Sequence, residues 1–176
     1  GDGMNMSEVV DVLIEGNYFH DFYGTDHDMN HMDMIQMWTT ATETRSENVT
    51  IRANYFDNGD GIGTQTIHMR NELVDQGMAG EELYYRNIEI SDNVIYNSHV
   101  NAVNIGETFG LNISNNTIVA NQANGVLSGG EIFFSAPSIR VTSQSADVNI
   151  TNNVVNEIVF KDGYAPENSF VDGNVL

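Results

Sequence analysis

The chain has 176 residues, of which 25 are acidic and 6 basic, for a formal charge of −19, and it has no cysteine. That balance excludes nucleic acid as a partner, because phosphate binding needs clustered Lys and Arg, and the missing cysteines exclude disulfides and thiolate metal sites. The length suits one domain, residues 1–176, and no stretch is apolar for long enough to cross a bilayer as a helix, so no membrane insertion is expected.

Leucine is scarce, while Val, Ile, Asn, Thr and Gly are common, a mix that favours strands and tight turns. From the N-terminus, GMNMSE places Met4 and Met6 on one face of a short strand. VLIEGN follows, with Val12 and Ile14 alternating with polar residues and Asn17 three positions after Ile14. Tyr18 and Phe19 then suggest a second short strand. This unit recurs as VTIRAN, IEISDN, LNISNN, VNITNN and FVDGN, with asparagines at 54, 93, 116, 153 and 174. The intervals from Asn17 onward are 37, 39, 23, 37 and 21 residues. Repetition at this period marks a stacked fold, and period-two alternation marks strands with one buried face. Asparagine tolerates left-handed backbone at a turn, and asparagines stacked in register can bond to one another.

A further strand recurs as MIQMWT, TIHMRN, AVNIGE and SIRVTS, aligned with GMNMSE. Its expected inward pairs are Met4/Met6, Ile35/Met37, Ile67/Met69, Val103/Ile105 and Ile139/Val141. The residues between them, Asn5, Gln36, His68, Asn104 and Arg140, would form one outward column, flanked by Ser7, Trp38, Arg70, Gly106 and Thr142. At a strand spacing of about 4.8 Å, that column is a polar stripe suited to an extended sugar chain, with Trp38 stacking on a pyranose ring. The bland reading is that these residues are polar because they face water.

The segment FYGTDHDMNHMDMIQMW is the densest in chemistry, holding Tyr23, Asp26, His27, Asp28, His31 and Asp33. Histidines and carboxylates this close suit a cation site or acid–base work, and oxygen-rich loops bind Ca²⁺. The loop RNELVDQGMAGEEL brings Glu72 towards the same edge, and Glu107 lies one repeat later. The alternative for each is a solvated polar loop. DNGDG at 57–61 reads as a turn.

Three strands per repeat and the Ile-x-x-Asn pattern resemble the right-handed parallel β-helix of pectate-lyase-like proteins, over essentially the whole chain and for about six turns. A leucine-rich repeat is the competing architecture, but the leucine-dense consensus it needs is missing. HMDMIQ (His31, Asp33, Ile35, Gln36) is similar to a His-x-Asp-x-Ile-Gln signature of secreted bacterial β-helix proteins. YGTDHD (Tyr23, Gly24, Asp26, His27) resembles the catalytic stretch of mannuronan C5-epimerases, without its proline. The chain looks most like β-helix regions of secreted marine alphaproteobacterial proteins, which implies a segment of a longer chain, with ends apparently uncapped, and a secreted or cell-surface location. The resemblance implies a carbohydrate-active protein, a Ca²⁺-assisted lyase or C5-epimerase acting on an acidic polysaccharide. The expected roles are then His31 or His68 as base, Tyr23 as acid and Arg70 neutralising the substrate carboxylate. Gln36, Trp38, Asn104 and Arg140 would bind substrate, and Asp28, Asp33 and Glu107 would hold Ca²⁺. The alternative is a non-catalytic adhesin, fibre or spacer module that binds glycans; homo-oligomerisation is left open.

Overall fold

The computed structural model describes residues 2–22, 32–59, 64–99, 101–120 and 137–176, together with the backbone of 125–128 and 131–134. The chain is nearly all β, and its strands form three parallel sheets, an arrangement consistent with a parallel solenoid. The first sheet has six strands in the order Met4–Met6, Met32–Met37, Thr64–Met69, Asn101–Ile105, Ser138–Val141 and Glu157–Phe160. The second has six, Val10–Glu15, Glu47–Arg52, Tyr85–Ser91, Thr108–Ser114, Ala146–Thr151 and Phe170–Asp172. The third has four short ones, Tyr18–Phe19, Tyr55–Asp57, Val94–Tyr96 and Thr117–Val119. The chain visits the sheets in that order once per repeat, and the last two repeats add a strand to the first two sheets only. Residues some 37 positions apart therefore become neighbours, as with Asn17 and Asn54. Among the described residues, no helix is long and apolar enough to cross a membrane.

Alternation along each strand sends the aliphatic residues to a common core. Val49, Ile51, Ile88, Ile90, Leu111, Ile113, Val148 and Ile150 from the second sheet are buried against Ile35, Met37, Ile67, Met69, Val103, Ile105, Ile139 and Val141 from the first. Phe56, Ile95 and Ile118 close the third side, with Phe19 stacked on Phe56 at 4.7 Å between ring centroids. Such burial is the main favourable term holding a stack of this kind together.

The repeated asparagines form a continuous ladder at the turn between the second and third sheets. In each step both the backbone N–H and the Nδ2 of one asparagine donate to the Oδ1 of the next, from Asn17 through Asn54, Asn93, Asn116 and Asn153 to Asn174, at 2.9–3.1 Å. The remaining Nδ2 hydrogen of Asn54, Asn93, Asn116, Asn153 and Asn174 goes to a strand carbonyl of the preceding repeat: Ile14, Ile51, Ile90, Ile113 and Ile150. Ladder amides from Asn54 to Asn153 are thus buried at no polar cost. The left-handed residue is not the ladder asparagine but the one before it: Gly16, Ala53, Asp92, Asn115, Asn152 and Gly173 all have φ between 53° and 68°. The preceding residue makes the bend, which frees the asparagine side chain to point along the stack.

Three further features differ from the sequence reading. The strand Glu157–Phe160 extends the first sheet by one member; its run of Ile, Val and Phe has no polar alternation to mark it. The loop after Arg70 contains a short helix, Glu72–Asp75, and a 3₁₀ turn, Glu81–Leu83. An antiparallel pair, Gly125–Ser128 with Glu131–Phe134, lies outside the three parallel sheets.

Candidate functional site

The strand registers set the outward column of the first sheet. Asn5 pairs with Gln36, Gln36 with His68, His68 with Asn104, Asn104 with Arg140, and Arg140 with Val159. The column is polar over five strands and ends on an apolar side chain. It is knit together laterally: Asn5 Nδ2 donates to Gln36 Oε1 at 3.2 Å, and the Trp38 indole N–H donates to Asn5 Oδ1. Asn104 Nδ2 lies 3.0 Å from His68 Nδ1. The amide donates to the ring when Nδ1 carries no proton.

His68 and Asn104 are each only 8% exposed, whereas Asn5 is exposed and Gln36 and Arg140 are half-buried, so the stripe is open to water only in part. Two groups in this column are buried without a hydrogen-bond partner, the acceptor Asn104 Oδ1 and the donor Arg140 Nε. They belong to register-paired residues about 4.8 Å apart. Protein interiors rarely leave such groups unmatched, and an unmatched donor beside an unmatched acceptor is a place where a ligand would gain both bonds.

Arg70 stands two residues beyond His68, yet its guanidinium is already engaged. Its Nε bonds Asp75 Oδ2 at 2.9 Å, and that contact raises its pKa, with burial opposing. The corner beyond it is a structural network. Tyr85 Oη donates to the Arg70 carbonyl at 2.8 Å, Asn71 Nδ2 to the carbonyls of Leu83 and Glu107, and Glu72 Oε2 accepts from the Thr39 N–H at 2.8 Å. These bonds fasten the inserted loop to the end of the sheet. Glu107 sits in this corner, 4% exposed, with Oε2 unpartnered. Burial pushes its carboxyl above the ordinary glutamate value, Asp75 adds to the shift, and its own backbone N–H, Lys161 and Thr142 oppose it.

Of the proposed calcium ligands, Asp33 and Glu107 are not brought together, and Asp28 lies outside the described residues. The register Ile105–Met69–Met37 places Glu107 level with Thr39, beyond the far end of the strand that begins near Asp33. Asp33 to Met37 alone spans about 13 Å, whereas Ca²⁺ needs oxygens at about 2.3–2.6 Å. Asp33 itself is fully buried at the other end of the sheet. Among the described residues no group of three or more His, Asp or Glu side chains is placed to hold a metal ion. Tyr23, Asp28 and His31 lie outside the described residues.

One feature escaped the sequence reading. Every strand of the second sheet carries a left-handed residue three positions before its inward isoleucine or valine: Asp11, Asn48, Asn87, Gly110, Asp147 and, in the last repeat, Asn168. The pairings step over it on both strands alike, as from Val10–Glu47 to Val12–Val49, so the same left-handed break recurs in register in every repeat. The signal was present in the sequence as Asp, Asn or Gly at a constant offset, the residue types that enter this conformation at least cost.

Comparison with protein-family models, with curated proteins and with solved structures gives no match for this chain.

Proposed function

We propose that the chain is a right-handed parallel β-helix of the pectate-lyase-like kind, secreted or displayed at a bacterial surface, that acts on an acidic polysaccharide as a lyase or C5-epimerase. The observation that carries this reading is the adjacent pair of unmatched groups in the first-sheet column, Asn104 Oδ1 and Arg140 Nε. A uronate residue offers both complements, a hydroxyl to donate to the amide oxygen and a carboxylate to accept from the guanidinium. Both reactions remove the proton alpha to that carboxylate. Charge then develops on the carboxylate oxygens, so a fixed cation against them lowers the barrier. Arg140 takes this part in place of Arg70, which Asp75 already holds. His68, whose Nδ1 lies 3.0 Å from Asn104 Nδ2, and His31 are the candidate bases proposed from the sequence. The net charge of −19 does not prevent local capture of a polyanion, because fields are screened over about 8 Å at physiological salt. Calcium is retained only as an additive to test.

A second reading, a glycan-binding module without catalysis, is favoured by the Arg70–Asp75 pair and by the separation of Asp33 from Glu107. Incubation with alginate, pectate and related polyuronates, with and without Ca²⁺, separates the two. Turnover is read as ultraviolet absorbance of unsaturated products or as altered epimer ratios by NMR. Arg140→Ala is expected to lower turnover by about 10²-fold or more, the scale of losing a group that stabilises developing charge, and Arg70→Ala by far less. Undiminished turnover in Arg140→Ala would overturn the site. Binding without turnover across the panel would establish the second reading.

A further inference from the structure

We infer that the outer face of the second sheet carries a separate subsite for a neutral sugar unit, centred on Gly110. The column of left-handed residues on that sheet is a hydrogen-bonded series. Asn48 Nδ2 donates to Asp11 Oδ1 at 2.8 Å, Asn87 Nδ2 to Asn48 Oδ1 at 2.9 Å, and beyond the break Asn168 Nδ2 to Asp147 Oδ1 at 3.3 Å. Gly110 occupies the same place with φ +76° and no side chain. A Cβ built there would lie 3.1 Å from Asn87 Oδ1. The series therefore stops at an amide oxygen that receives no donor from the next strand.

A cavity of about 350 Å³ opens at this break, lined by Asn48, Thr50, Asn87, Glu89 and Asn112 together with Gly110 and Ile88. Its volume falls within the range of ligand sites, about 300–1,000 Å³. The lining chemistry selects the ligand class. No lining residue is basic and one, Glu89, is acidic, so uronates, sulfated sugars and phosphates are repelled. A single carboxylate is too little for a cation site. Ile88 lines the cavity but is only 1% exposed, so it offers little apolar surface to a peptide side chain. What remains is a set of neutral amides and a hydroxyl about one strand spacing apart, roughly 4.8 Å, beside one carboxylate. Sugar hydroxyls match such a set, donating to Asn87 Oδ1 and Glu89 and accepting from Asn112 and Thr50. One hydroxyl takes the place of the amide that an asparagine at position 110 would have supplied. This subsite stands on a different sheet from the Asn104–Arg140 pair and does not depend on the reading of that pair.

The test is an NMR titration of the ¹⁵N-labelled chain with cellohexaose, mannohexaose and laminarihexaose, with hexaguluronate as the acidic probe. A neutral hexasaccharide is expected to shift the amide signals of Asn48, Asn87 and Asn112. Gly110→Asn completes the series in a conformation that Asn48 and Asn87 already adopt, so the fold is expected to survive while affinity falls by about tenfold or more. Glu89→Ala tests the same site without touching the left-handed column and is expected to weaken binding similarly. Arg140→Ala is expected to leave it unchanged. The proposal is overturned if no neutral probe shifts those signals, if both Gly110→Asn and Glu89→Ala bind as the parent does, or if hexaguluronate takes this face in preference.

Discussion

Asn93 and Asn116 stand 23 residues apart in sequence, yet the backbone N–H and Nδ2 of Asn93 both donate to Asn116 Oδ1, at 3.1 and 3.0 Å. Asn93 is fully buried, its Nδ2 also serves the Ile51 carbonyl, and its Oδ1 accepts two bonds from Asn54. No single hydrogen bond in this set is large, but their removal together is. Asn93→Ala removes the Nδ2 bonds to the Ile51 carbonyl and to the Asn116 oxygen, which keeps only the backbone N–H of residue 93, and strands two Asn54 donors; it is expected to cost about 3 kcal/mol. Asn174→Ala, at the half-exposed end of the ladder, is expected to cost about 1 kcal/mol. Urea denaturation of the two variants checks the contrast; equal losses would mean that the ladder does not act as a connected unit.

Ala53 precedes a ladder asparagine with φ 53° and is exposed. Gly16 and Gly173 fill the equivalent place in the first and last repeats. A non-glycine residue in this region pays roughly 1–2 kcal/mol, offset in part by the greater freedom of glycine in the unfolded chain. Ala53→Gly is expected to stabilise the protein by about 0.5–1 kcal/mol, while Ala53→Val, β-branched, is expected to destabilise it by about 2 kcal/mol. Thermal melts of both variants against the parent supply the measurement.

Glu107 makes stability depend on pH. Burial raises its carboxyl above the ordinary value of 4.5, so the folded state holds the proton more tightly than the unfolded one. Its contribution is therefore fully present below the unfolded value and is lost as pH rises through the folded value. Glu107→Gln keeps the shape and removes the titration. The expected outcome is that the variant gains stability over the parent as pH climbs from about 4 to 8, with little difference at the acid end. A parent-minus-variant stability difference that does not change with pH would show that Glu107 ionises without penalty.

The stacked architecture was legible because strand alternation and the Ile-x-x-Asn interval are local, periodic features. Their registry followed from one assumption, that equivalent residues pair. Thus His68, Asn104 and Arg140 fall in the column that the sequence suggests, and the asparagines bond as a ladder. The exceptions have particular causes. The left-handed residue was assigned one position late, because both the ladder asparagine and its predecessor are of types that turn. Glu157–Phe160 went unread because its residues are apolar on both faces.

Chain order and residue type by themselves determined which residues face inward and which share a column, since in a stacked repeat those follow from period and offset alone. Only the tertiary structure decided which of the charged side chains are already spent. Arg70 is held by Asp75 from the inserted helix, Asp33 and Glu107 lie at opposite ends of one sheet, and Gly110 leaves a break in a series whose other members are Asp or Asn. Partnership between side chains depends on the paths of loops and on distances of a few ångströms, and no periodicity in the sequence carries that information.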